Sequence, residues 1–330
     1  MNPVKRRSAL AAISAAALAP LAAGTAPAHA TPLGPTDITD LESAVHTYSA
    51  QYSTQPPHTL RTAVAAHRRH ARTLLRERRH TPRQDRELAH HAGMLTVTAA
   101  WIAHDHGHRP LVQQLCDEAR ELADRARAPQ VAAWAEDVRA TDALYAGHPR
   151  HALTAITRGL ATAPRDSHAA IRLTAQLARV HARLGNRSAF TEAAAAAHRR
   201  RAALPLHGAG LFAVDAVRII SYDASSHLWL GDHERARTAA TEAITHYQAT
   251  PGPTRAPTRL AIAQLDLATA QTALSEPEAA IATARQALTG DRTVQSVRGR
   301  ARQLDAHLHR HHPGLPLVRD FTEEVRALGV

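Results

Sequence analysis

The chain has 330 residues, enough for one elongated domain or two compact ones, and its single cysteine, Cys116, excludes an intramolecular disulfide and a cysteine-based zinc site. Its formal charge is +11, but Lys5 is the only lysine, so 39 of the 40 basic residues are arginine, which reads as coding bias rather than a nucleic-acid signature. Alanine, leucine and arginine dominate, aromatics are only 3%, and these residues lose little rotamer freedom in a helix, so an all-α chain is expected.

In chain order, residues 1–35 come first as a signal-like or linker segment expected to be poorly ordered. Lys5-Arg6-Arg7 precedes a small-apolar run from Ala9 to Ala23, then Ala28-His29-Ala30 stands before Thr31-Pro32. This is the layout of a secretory signal cleaved after Ala30, and Arg6-Arg7-Ser8-Ala9-Leu10 is similar to a twin-arginine signal with alanine where phenylalanine is usual. The same stretch also reads as an interdomain linker. The alanine-rich run, broken by Pro20, is too short and too weakly apolar to span a bilayer.

An N-terminal helix pair follows at about 37–54 and 58–79, within a capping region 36–81. Next come five helix pairs over 82–290, aligned on the turn residues Gly107, Gly147, Gly185, Gly231 and Ser275. Seven residues before each turn stands an alanine: Ala100, Ala140, Ala178, Ala224 and Ala268. Twelve residues after it stands Ala119, Gly159, Ala197, Ala243 or Ala287. Small residues at two fixed points are what closely crossing helices require, because a larger side chain would hold them apart. The pairs are expected at 82–107 with 109–127, 129–146 with 149–163, 166–184 with 187–203, 211–230 with 233–248, and 256–274 with 277–289. Prolines at 82, 110, 129, 149 and 277 fall in first turns, where a missing N–H is harmless. Capping helices near 293–311 and 316–328 complete the region 291–330, since each repeat exposes an apolar face that only a neighbour can cover.

This pattern resembles the tetratricopeptide repeat, whose turn is similar to Gly231-Asp232-His233-Glu234-Arg235-Ala236 and Gly147-His148-Pro149-Arg150-His151-Ala152. The resemblance implies a right-handed α-solenoid of tetratricopeptide-like helix pairs. Ala99-Ala100-Trp101-Ile102-Ala103-His104-Asp105-His106-Gly107-His108, with the helix after it, resembles the first repeats of actinomycete-type helix-turn-helix (XRE-like) transcriptional regulators. In that group a DNA-binding domain precedes a tetratricopeptide-like sensor half, and its linker is similar to Asn2-Pro3-Val4-Lys5-Arg6-Arg7-Ser8-Ala9-Leu10. The present sequence departs from the group because no helix-turn-helix stands before this segment. The implied function is a non-catalytic, cytoplasmic peptide- or protein-binding module, the sensing part of a regulator whose helix-turn-helix unit is separate or missing. An exported helical-repeat binding or scaffold protein is the alternative. A homodimer is left open, and no cofactor, no metal and no direct nucleic-acid binding are expected.

In a tetratricopeptide array the first helix of each pair lines a concave groove, and its exposed positions lie thirteen, ten, six and two or three residues before the turn. Those offsets give Met94, Val97, Trp101 and His104, then Trp134, Asp137, Thr141 and Tyr145. The next units give Arg172, Arg179 and Arg183, then Arg218, Ser221, Ser225 and Trp229. All three tryptophans lie on this set, and an aromatic and arginine groove suits an extended peptide. The alternative is that the tryptophans fill gaps between repeats. Arg172, Arg179 and Arg218 form an expected positive strip for an anionic partner, with local pairing to Asp137, Asp215 or Asp223 as the plainer account. Two other clusters carry less. His104, His106 and His108 sit at a helix end, where cationic side chains suit the dipole, and Arg68 to Arg79 reads as a solvated helix face.

Overall fold

A computed structural model describes residues 31–205, 210–250, 252, 255–290 and 293–328. Among them are fourteen helices: α1 (Asp37–Gln51), α2 (Pro57–Glu77), α3 (Pro82–Asp105), α4 (Arg109–Ala126), α5 (Pro129–Tyr145), α6 (Pro149–Thr162), α7 (His168–Arg183), α8 (Arg187–Ala203), α9 (Ala216–Trp229), α10 (His233–Ala249), α11 (Pro257–Ala273), α12 (Pro277–Leu288), α13 (Gln295–His311) and α14 (Pro316–Ala327). The only extended pairing among the described residues is a single parallel bridge between Pro32 and Arg79. The signal or linker reading of residues 1–30 lies outside the described residues, and no described helix is long and apolar enough to cross a membrane.

The five aligned turns share one geometry. Gly107, Gly147, Gly185 and Gly231 have φ between 75° and 78°, and Ser275 follows at 65°. Each takes the left-handed conformation at the end of its helix and closes it with a paired Schellman motif. After α3, Gly107 N–H donates to the His104 carbonyl (2.9 Å) and His108 N–H to the Ala103 carbonyl (2.9 Å). After α11, Ser275 N–H donates to the Thr272 carbonyl (3.2 Å) and Glu276 N–H to the Gln271 carbonyl (2.9 Å). The small residues expected on either side are all buried, from Ala100 and Ala119 in the first pair to Ala268 and Ala287 in the last.

Each helix packs on its chain neighbours, except that α12 packs on α14 rather than on α13, and the odd-numbered helices also pack on one another: α1 on α3, then α3 on α5, α5 on α7, α7 on α9, α9 on α11 and α11 on α13. The odd helices form the inner row of a solenoid and most even helices its outer row. The inner row curves until α13 touches α3, where the Gln295 side chain lies against the Gly107 turn. One boundary departs from expectation. The fourth pair opens at Ala216 rather than 211, because Asp215 accepts from the Arg218 N–H (2.7 Å) as N-cap. Residues 211–214 are instead drawn onto other elements: Leu211 N–H donates to the Ser49 carbonyl (2.9 Å) and Val214 N–H to His168 Nδ1 (3.1 Å).

Candidate functional site

The inner row lines a half-open cavity of about 120 Å³. Its wall takes Trp101 and His104 from α3, Thr141 and Tyr145 from α5, Arg172 and Arg179 from α7, and Arg218, Ser221, Tyr222 and Ser225 from α9. The wall is completed by Tyr52 after α1, Asp105, Leu211, Tyr247 of α10, Arg259 and Ile262 of α11, and Ser296 and Arg300 of α13, among others. Residues far apart in sequence meet here because each inner helix turns the same face toward the centre of the arc.

The expectation that these positions are exposed is corrected by the structure. Arg172 is 4% exposed, Arg179 2%, Arg218 4% and Trp134 0%, while Asp137, Trp101, His104, Thr141, Ser221 and Ser225 are also buried. The physical reason is closure: α13 and the segment around Leu211 and Phe212 lie over a wall that would otherwise face solvent. Tyr145 and Trp229 are half-buried, and only Arg183 is exposed. Met94 and Val97 are buried as well. Trp134 stands outside the cavity, its ring 5.3 Å from that of Phe212, and so fills the space beneath the intruding segment.

The guanidiniums are held in unlike ways. Arg172 Nε lies 2.9 Å from Asp137 Oδ2, its Nη1 donates to the Leu211 carbonyl (3.2 Å), and its plane sits 4.6 Å from the Trp101 ring centre. Asp137 therefore serves as the counter-ion of Arg172 rather than as a groove residue. Burial pushes its carboxyl above the ordinary range, and Arg172 and Gln176 work against that shift. Arg300 Nε donates to Asp266 Oδ1 (2.8 Å), and its Nη2 donates to Ser225 Oγ (3.3 Å), whose hydroxyl in turn donates to Asp266 Oδ2 (2.8 Å). Arg259 pairs with Asp215 at 3.4 Å.

Arg179 donates to Gln176 Oε1 (2.8 Å) and otherwise rests among rings, 4.6 Å from Tyr222, 5.4 Å from Trp229 and 5.7 Å from Tyr145. Arg218 donates to the carbonyls of Leu211 (3.4 Å) and Gly210 (3.3 Å). Its burial, and then the charge of Arg172, lower its pKa from the usual guanidinium value. Beside the cavity a second recess of about 240 Å³, lined by Leu144, Gly147, Arg183, Trp229 and Gln303, shares Tyr145, Arg179 and Arg300 with it.

His104 Nδ1 faces Asp142 Oδ1 at 3.2 Å inside the arc, whereas His106 and His108 turn toward an apolar recess on the outer side between α2 and α4. In the basic run of α2, Arg68 and Arg72 both pair with Glu118 of α4 at 2.8 and 2.7 Å, so part of that run ties helices together. Tyr52, Tyr222, Arg259 and Arg300 went unread in the sequence. The offset of thirteen, applied to the turn at Ser275, would have found Ile262.

No protein-family model and no curated protein matches the chain. Among solved structures it is similar to the crystal structure of BtubC (BKLC) from P. vanneervenii, with a TM-score of 0.50 and 14% identity, covering 79% of this chain and 95% of that one. At that identity the likeness concerns the fold alone. The molecule is an all-α solenoid of helix pairs.

Proposed function

We propose that the chain is a non-catalytic binding module whose ligand occupies the space lined by the inner row, and that it is the sensing half of a transcriptional regulator working with a helix-turn-helix unit. The observation that carries this reading is the convergence of side chains from α3, α5, α7, α9, α11 and α13 on one cavity. Packing alone fills such a space with apolar side chains; here it is walled by guanidiniums, hydroxyls and aromatic rings, the mixture by which a pocket orients a bound molecule. Arginine cannot give up its proton at working pH, so these groups suit holding a ligand better than moving protons. The regulator reading rests on the resemblance of the first repeat and its upstream segment, and it carries a cytoplasmic location with it.

Native mass spectrometry of the protein purified from its own host tests both parts. The expected result is a bound species released on denaturation, a polypeptide whose N-terminus is uncleaved, and a helix-turn-helix unit fused or associated. A protein free of bound species contradicts the binding role. A mature N-terminus at Thr31 contradicts the regulator and favours the exported binding protein.

A further inference from the structure

We infer that the cavity takes a compact anionic group, a carboxylate or phosphate, clamped by Arg179 and Arg218. The inference rests on the reading of that cavity as a ligand site, and it starts from a charge that the described residues leave uncompensated. Five guanidiniums line the space: Arg172, Arg179, Arg218, Arg259 and Arg300. Asp137, Asp215 and Asp266 answer Arg172, Arg259 and Arg300. Asp105, the one carboxylate among the described residues that itself lines the cavity, accepts from the neutral Tyr52 hydroxyl (2.7 Å), and its charge still leaves five guanidiniums against four carboxylates.

The described hydrogen-bond and ring contacts of the Arg179 and Arg218 guanidiniums are an amide oxygen, carbonyls and rings, while Asp137 and Asp215 act on Arg218 only from beyond ion-pair distance and are already paired with Arg172 and Arg259. Both guanidiniums bury an Nε without a hydrogen-bond partner, and Trp101 Nε1 in the same wall is likewise unmatched. Water solvates a guanidinium far better than rings and carbonyls do, and arginine cannot escape burial by deprotonating. Apolar side chains of similar size would serve packing better. A carboxylate or phosphate fits the fork geometry of these donors and supplies the missing counter-charge.

Size narrows the choice. At about 120 Å³ the cavity is smaller than the roughly 300–1,000 Å³ of pockets for drug-sized molecules, so it suits a small anion or the charged end of a longer molecule. The outer recess, which shares Arg179 with the cavity, gives such a molecule room for its remainder.

The test is thermal denaturation at constant ionic strength of the wild type and of Arg179→Met, which keeps length and removes charge. The probes are inorganic phosphate, succinate, and a short peptide with a free or an amidated C-terminus. In probe-free buffer the variant is expected to melt above the wild type, having lost an uncompensated buried charge. The wild type is expected to gain a saturable rise in Tm, with phosphate or succinate for a free anion and with only the free-ended peptide for a terminal carboxylate. The midpoint should weaken at least tenfold in the variant.

A variant that melts below the wild type in probe-free buffer, equal responses of both proteins, or a wild type that answers no probe overturns the inference. Should the methionine variant fail to fold, Arg179→Lys keeps the charge without the fork and is expected to shift the midpoint several-fold, and an unchanged midpoint counts against the clamp. A neutral molecule found in the native preparation and held equally by wild type and Arg179→Met would overturn the anion while leaving the cavity a ligand site. Absence of both a bound species and any anion response removes the two readings together.

Discussion

Left-handed residues at the ends of α3, α5, α7, α9 and α11 set the register of the array, and four of the five are glycine. Ser275 occupies the fifth at φ 65°, where its Cβ crowds the following carbonyl, a strain of about 1–2 kcal/mol that glycine lacks. Glycine also gains freedom in the unfolded chain, so Ser275→Gly is expected to stabilise by only about 0.5–1 kcal/mol. Gly231→Ala, at φ 76° with open space around it, should cost about 1 kcal/mol from the backbone alone. Urea midpoints of the two variants check both signs. These turns and the alanines flanking them were legible in the sequence because each depends on backbone geometry or on one helix crossing. The burial of Arg172, Arg179 and Arg218 was not, because an offset from a turn fixes the face a residue occupies and says nothing of what arrives opposite. Phe212 against Trp134 and Arg300 against Tyr145 come from distant segments that no local pattern announces.

Among elements, two glycines inside helices separate intrinsic propensity from packing. In α6, a Cβ on Gly159 would lie 2.8 Å from Leu173 Cδ1 and 3.1 Å from Glu136 Cβ, so α6 seats directly against α5 and α7. Alanine there gains about 1 kcal/mol of helix propensity and loses about 1–3 kcal/mol to overpacking, so Gly159→Ala should destabilise by about 1 kcal/mol. In α13 nothing lies within 4 Å of a Cβ on Gly299, and Gly299→Ala should stabilise by about 1 kcal/mol. Equilibrium denaturation distinguishes the pair, and equal effects at the two sites would contradict the packing described for α6. Helix placement was largely legible, since prolines mark first turns and glycines mark ends. The start of α9 was not, because the sequence from Leu211 continues an apolar helical pattern and its release depends on Ser49 and His168 of other helices.

At the scale of the molecule, the inner row bends until α13 meets α3, and this narrows a groove that would suit an extended peptide to a small, half-open space. The α-solenoid and its paired helices follow from a repeat that no element satisfies alone, since each apolar face is covered by the next pair. Closure depends instead on single long-range contacts, such as Gln295 on the Gly107 turn and Arg300 on the Tyr145 ring. On the proposed reading, a ligand bound inside the arc would be tied to the fit between the two ends of the array, a route from occupancy to shape. The direct measurement is acrylamide quenching of selectively excited tryptophan fluorescence in Trp229→Phe, which leaves Trp101 on the cavity wall and Trp134 beneath the Phe212 segment as the only tryptophans. A closed inner wall predicts quenching several-fold weaker than for free tryptophan, restored to the free value on unfolding in urea. Quenching near the free value in the folded protein would mean an open groove and would contradict the walled site.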